Sequence, residues 1–162
     1  MVQAIEAYEH VIEFDASRGE AFANLGFALA RTRRFERAFE MSALALELSH
    51  PGAEEARVRQ LIAKTYVEKG TSELESARSM SAVEARPRVD AAIEAFERAV
   101  AFDPQQVDAM AHLGMAWTRL NVFERAFETL QRALEVSRTE AEAKRVNELL
   151  AQTYLKQARE NL

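Results

Sequence analysis

Residues able to do chemistry are few and scattered in this chain. There are three histidines, His10, His50 and His112. Glu47-x-x-His50 has the spacing of a carboxylate–imidazole pair on one helix face, as di-iron sites use, but such a site needs two of these pairs and further carboxylates. The matching position 88 residues on pairs Glu135 with Arg138, so the second pair is missing. With no cysteine, a disulfide framework, a thiolate metal site and a cysteine nucleophile are excluded. The chain has no glycine-rich phosphate loop, no serine in a nucleophile elbow and no Ser/His/Asp set. The expectation is a protein that is not an enzyme, with no cofactor and no metal, in which the His50 of that pair sits exposed at a helix end. Trp117 and the phenylalanines fall at core spacing and do not form a cofactor box.

The elements must therefore carry the function through their surfaces. The chain has 162 residues, one domain's worth by length. Hydrophobic residues at 48% and charged residues at 29% place it among globular chains, away from disordered ones. With only 5 glycines and 3 prolines there are too few turns for many strands, so a helical reading leads. A net charge of -5 argues against binding a nucleic-acid backbone, which needs a basic surface. The N-terminal MVQAIEAYEHVIEF carries carboxylates through its apolar positions and does not read as a signal peptide. No run approaches the roughly 20 apolar residues of a membrane span. A cytoplasmic chain without membrane insertion is expected. Arginines (17) far outnumber lysines (4), which with the alanine content suggests a GC-rich bacterial genome.

Self-similarity dominates the sequence. Phe35-Glu36-Arg37-Ala38-Phe39-Glu40 recurs 88 positions later as Phe123-Glu124-Arg125-Ala126-Phe127-Glu128. The same offset aligns Ala4-Ile5-Glu6-Ala7 with Ala92-Ile93-Glu94-Ala95, Leu25-Gly26 with Leu113-Gly114, and Thr65-Tyr66 with Thr153-Tyr154. Laid on 89–162 without a gap, residues 1–74 give 32 identities in 74 positions. The chain reads as a tandem duplication, with 1–74 as first copy, 89–162 as second copy and 75–88 as an unduplicated insert.

Each copy is built of helices. Phe22, Leu25 and Leu29 recur at helical spacing within 20–33, and Phe35, Ala38, Phe39, Ala45 and Leu46 within 35–48. The link between them, Arg33-Arg34 or Asn121-Val122, is short enough to force antiparallel packing. A glycine inside a helix costs roughly 1 kcal/mol against alanine, so Gly26 and Gly114 predict contacts too close for a side chain. Residues 71–87, rich in Ser, Glu and Ala, are open between an ordered loop and an extension of the preceding helix, with propensity favouring the extension. Pro87 is expected to stop a helix before the next one begins.

These helix pairs resemble tetratricopeptide (TPR) repeats, whose pattern is W-x2-L-G-x2-Y, then A-x3-F and a later proline. Phe22-x2-Leu25-Gly26-x2-Leu29 is followed by Ala38, Ala45 and Pro51, and the second copy reads Met110-x2-Leu113-Gly114-x2-Trp117, then Ala126-x3-Leu130. Ala4-x3-Tyr8 and Ala92-x3-Phe96 match lone second helices, and Ile62-Ala63-x2-Tyr66 and Leu150-Ala151-x2-Tyr154 match first helices loosely. The resemblance covers nearly the whole chain except 71–87. It implies an all-α fold over 1–162: a single domain, a right-handed solenoid of antiparallel helix pairs, about seven helices in all.

It also implies a concave groove lined by first helices, and with it a protein or peptide partner bound by a non-catalytic scaffold. Carried over position by position, the lining is Ala23, Asn24, Phe27, Ala30 and Arg31 on one helix and Ala111, His112, Met115, Thr118 and Arg119 on its duplicate. Arg57, Gln60 and Lys64 follow, echoed by Arg145, Glu148 and Gln152. Four matched arginines, Arg31/Arg119 and Arg57/Arg145, could take partner carboxylates bidentately, or could pair with neighbouring glutamates or cover apolar surface. Ala23 and Phe27 stand where chaperone-tail receptors of this family carry a lysine and an asparagine, so that clamp is absent.

The register of the ends is a second source of expectation. The chain opens on a second-type helix and closes on a first-type helix, each lacking its partner, so apolar surface is expected at Ile5, Tyr8 and Ile12 and at Leu149, Leu150 and Tyr154. Three readings stay open: head-to-tail association into a homo-oligomer, a piece cut from a longer array, or ends that cap themselves. The first makes the protein a self-assembling structural module, the alternative to a groove-binding scaffold.

Overall fold

A computed structural model describes residues 2–162 and shows eight helices and no strand among them. They are α1 (Val2–Phe14), α2 (Gly19–Arg31), α3 (Phe35–Leu48), α4 (Ala53–Ser76), α5 (Ala82–Phe102), α6 (Val107–Arg119), α7 (Phe123–Val136) and α8 (Glu140–Glu160). The count exceeds the expected seven or so. α2 and α3 recur as α6 and α7 with every boundary displaced by 88 residues. Two compact units divide between Lys69 and Gly70, within α4.

In the first unit, Ile5 on α1 packs into Leu25, Ala28 and Leu29 of α2, with Tyr8 and Ile12 against the same cluster. The α2–α3 turn is a Schellman motif. Thr32 closes α2, Arg33 takes a left-handed φ of 61°, and Arg34 N–H donates to the Leu29 carbonyl at 3.0 Å. The same motif closes α6, where Asn121 also has φ 61° and Val122 N–H donates to the Trp117 carbonyl at 3.0 Å. Only the second turn carries a residue that tolerates this conformation well.

Helix approach explains the mid-helix glycines. A Cβ on Gly26 would stand 2.9 Å from the Ala38 carbonyl oxygen of α3, and one on Gly114 would stand 2.5 Å from Leu130 Cγ of α7. In the second unit, Met110 and Ala111 of α6, Leu130 and Ala133 of α7 and Val146 of α8 form one buried cluster.

Residues 71–87 resolve into two helix ends. α4 extends to Ser76, a turn follows, and α5 begins at Ala82. Pro87 does not stop a helix: it lies inside α5. Ser81 and Glu84 form a reciprocal capping box that starts the helix ahead of it. The proline removes one N–H from the second turn. Burial of Ala85, Val89, Ala92 and Ile93 along the same helix offsets that loss.

Candidate functional site

Spacing of i, i+3 and i+7 puts His112, Met115 and Arg119 on one face of α6. There they line a cleft of about 360 Å³ with Thr71, Leu74, Glu75 and Arg78 from the end of α4 and the turn after it. Met115 is 39% exposed. The Arg119 guanidinium donates to the Ala77 carbonyl at 2.6 Å, tying α6 to that turn. Arg78 makes no ion pair among the described residues and is exposed.

His112, expected to line the groove, does line this cleft. It sits mid-helix, half-buried, with its ring stacked on Phe96 at 5.4 Å between centroids. Nδ1 lies 2.7 Å from the Asp108 carbonyl, which fixes it as the donor and leaves Nε2 as an acceptor, 3.5 Å from the Arg145 guanidinium. Burial holds the imidazole below its usual pKa against the Asp108 carbonyl, and Arg145 pushes the same way. At neutral pH this histidine is uncharged. His10 and His50 do lie at helix ends, against Glu13 at 3.1 Å and Glu54 at 3.0 Å, and Glu47 takes no part with His50.

Behind the cleft, α8 braces α6. Lys156 Nζ donates to the Thr118 and Arg119 carbonyls at 2.8 and 3.1 Å, satisfying the end of the helix. Thr118 and Thr153 meet through their hydroxyls at 2.8 Å. Arg145 pairs with Asp108.

In the first unit, Arg57 pairs with Glu20 at 3.4 Å, the same register as Arg145 with Asp108. Arg31 lies 3.8 Å from Glu68. Asn24 donates its side-chain amide to the Glu20 carbonyl at 2.8 Å, Phe27 is half-buried and Lys64 is exposed. All four matched arginines are therefore occupied, three by carboxylates and one by a backbone carbonyl. Ala23, Ala30 and Ala111 line nothing: each is 1% exposed, because small residues on these helices face the neighbouring helix.

The expected self-association residues divide. Ile5 is a core residue at 4% exposure, since α2 covers it, and Tyr8 and Ile12 are half-buried beside it. Leu149 and Leu150 lie half-buried on the core of the second unit. Tyr154 is 55% exposed, although its ring stacks on Phe127 at 4.2 Å.

Sequence reasoning missed the contribution of Leu74, Glu75 and Arg78. Their signal was that they fall at the edge of the only segment without a second copy. It also missed a second cleft of about 380 Å³, where Trp117 lies under Arg125 at 4.9 Å, with Glu97, Glu128 and Arg132 at its rim. In the first unit the corresponding Arg37 turns away to bond Glu9 at 2.8 Å.

The fold has a counterpart among solved structures. The crystal structure of the TPR-like protein MamA matches with a TM-score of 0.50 and 16% identity, covering 97% of this chain and 88% of that one. The fold is TPR-like. No protein-family model and no curated protein matches the chain. No described helix is long and apolar enough to cross a membrane.

Proposed function

We propose that the chain is a non-catalytic protein-interaction scaffold and that the α6 cleft of the second unit takes a segment of its partner. The TPR-like fold supports the general reading. One observation carries the specific one: an unpaired guanidinium, Arg78, stands beside apolar Leu74 and Met115 in a cleft walled by α6 and the end of α4. The four matched arginines are already engaged, so Arg78 is the cation left for a partner's carboxylate, with Met115 as an adaptable apolar anchor.

A fluorescently labelled peptide with one large apolar residue beside an Asp-Glu pair tests this by polarisation. Arg78→Glu should weaken binding by about tenfold to a hundredfold, the range for a charge-assisted hydrogen bond. Arg57→Glu, in the first unit, should leave it unchanged. Equal binding by wild type and Arg78→Glu would count against the cleft.

A further inference from the structure

A second exposed guanidinium without an ion pair among the described residues, Arg34, lies in the first unit, at the turn between α2 and α3. It belongs to a cluster. A cleft of about 550 Å³ opens at this turn, lined by Arg33, Arg34, Phe35, Glu36, Arg37 and Lys69, all of the first unit. Four of these residues are cations and one is a carboxylate. Arg33 and Arg34 are exposed. The Lys69 ammonium lies 4.9 Å from the centre of the Phe35 ring, and Arg37 reaches Glu9 on α1 at 2.8 Å. Positive charge is thus concentrated at one turn of a chain whose formal net charge is -5.

The duplicate turn shows that the fold does not require this charge. At the positions 88 residues on, Asn121, Val122 and Gln157 stand in place of Arg33, Arg34 and Lys69, while Phe123, Glu124 and Arg125 repeat Phe35, Glu36 and Arg37. The two turns have the same backbone, with φ 61° at both Arg33 and Asn121 and the same closing bond at 3.0 Å. A left-handed φ suits asparagine, whose short amide can bond locally, and does not suit arginine. Arg33 therefore stands against the preference of its own backbone. A residue held in a sparsely populated conformation points to a use for its side chain. Three cations present at one turn and absent from its duplicate are a property of the surface and not of the core.

We infer that the α2–α3 turn of the first unit is a docking site for an acidic segment of a partner protein, whose Asp and Glu carboxylates take the Arg33 and Arg34 guanidinium groups. Guanidinium forks receive carboxylates bidentately, and Arg37 and Lys69 add to the field that attracts them. The size of the patch selects the occupant. A nucleic acid or an anionic bilayer presents its charge over a wide surface. It would bring that charge against the rest of an acidic chain, within the screening length of about 8 Å at physiological salt. A short acidic segment meets the cations alone, and its several carboxylates use more of the cluster than a lone small anion would. Phe35 is the one apolar residue of the lining and Lys69 lies over it, so recognition here is by charge. This inference does not rest on the α6 cleft, whose Leu74 and Met115 have no counterpart in this lining.

Fluorescence polarisation of the full chain with a capped, labelled hexaglutamate peptide tests it. The peptide has no apolar residue, so it does not report on the α6 cleft, and Arg78→Glu should bind it as wild type does. Wild-type binding should be largely lost between about 0.1 M and about 1 M salt, as the screening length falls from about 10 Å to about 3 Å. Arg33→Asn/Arg34→Val/Lys69→Gln gives the turn the residues of its duplicate. It should keep the far-UV helix signal and bind about tenfold to a hundredfold more weakly. Arg34→Glu alone should weaken binding in the same range. Arg33→Asn alone should raise the thermal midpoint while weakening binding, because the side chain that binds is the one its backbone disfavours. A wild type that does not bind the peptide, or that binds it no better than the triple variant, would overturn the inference. So would tighter binding to vesicles of anionic phospholipid or to inorganic diphosphate than to the peptide, since either would assign the cations to phosphate.

Discussion

His112 shows how one substitution between the copies changes local chemistry. The first copy has Asn24 there, which donates to the carbonyl four residues back; His112 makes the same bond through Nδ1. The histidine adds a ring on Phe96 and a proton equilibrium. The groups facing it are Asp108 on its own helix, Arg145 from α8, and Glu75, Arg78 and Arg119 around the cleft. Burial lowers its pKa in the folded state, so below the unfolded value of 6.5 the unfolded chain binds the proton more readily than the folded one. Stability is therefore full above that value and falls as pH drops through it towards the lower folded pKa. His112→Asn should remove this component. Between pH 7 and pH 5 the thermal midpoint of wild type should fall further than that of His112→Asn. Parallel curves would show that the imidazole does not titrate differently in the two states. Carboxylates held by caps, such as Glu84, and Asp15, lowered to about 2 by Ser17 and Arg18, lose their contribution only at lower pH and do so in both proteins.

At the scale of the element, α5 is held by a conflict between its start and its second turn. Ser81 accepts from the Glu84 N–H, and the Glu84 carboxylate accepts from the Ser81 N–H at 3.1 Å. Pro87 then removes a donor that an unbroken helix would use. Its ring is exposed, so alanine there meets no packed neighbour. Pro87→Ala should raise stability by about 1–3 kcal/mol, the range set by proline in a helix interior, measured by urea unfolding. No change would mean that the second turn already relaxes around the ring.

The same helix marks the limit of what the sequence reveals. α3 and α7 were legible to the residue, because Phe-Glu-Arg-Ala-Phe-Glu carries the 3.6 period and a short turn bounds it. The start of α5 was hidden because proline reads as a stop, while the pattern Ser81-x-x-Glu84 that outweighs it is a local capping signal and not a periodic one. The groove arginines were legible as positions but not as bonds. Whether Arg57 reaches a partner or Glu20 depends on the distance between α2 and α4, which no spacing within one helix encodes. Ile5 was misplaced for a related reason: its periodicity shows an apolar face, not which neighbour covers it.

At the scale of the molecule, each unit has its own core, one around Leu25 and Leu29 and one around Met110 and Leu130. α4 runs through the division, and Gly70, a poor helix former, stands at that point. Because each core lies within its own unit, a lesion in one is expected to be felt chiefly there. Trp117 is the single tryptophan and reports on the second unit alone, whereas far-UV dichroism reports on all eight helices. Leu29 is fully buried, and Leu29→Ala should cost the first unit about 2–5 kcal/mol, the range for deleting a buried leucine. In urea, the dichroism curve of this variant should acquire an early phase while the Trp117 fluorescence midpoint moves much less. If both probes shift together by the same amount, α4 transmits the loss across Gly70 and the chain unfolds as one cooperative body.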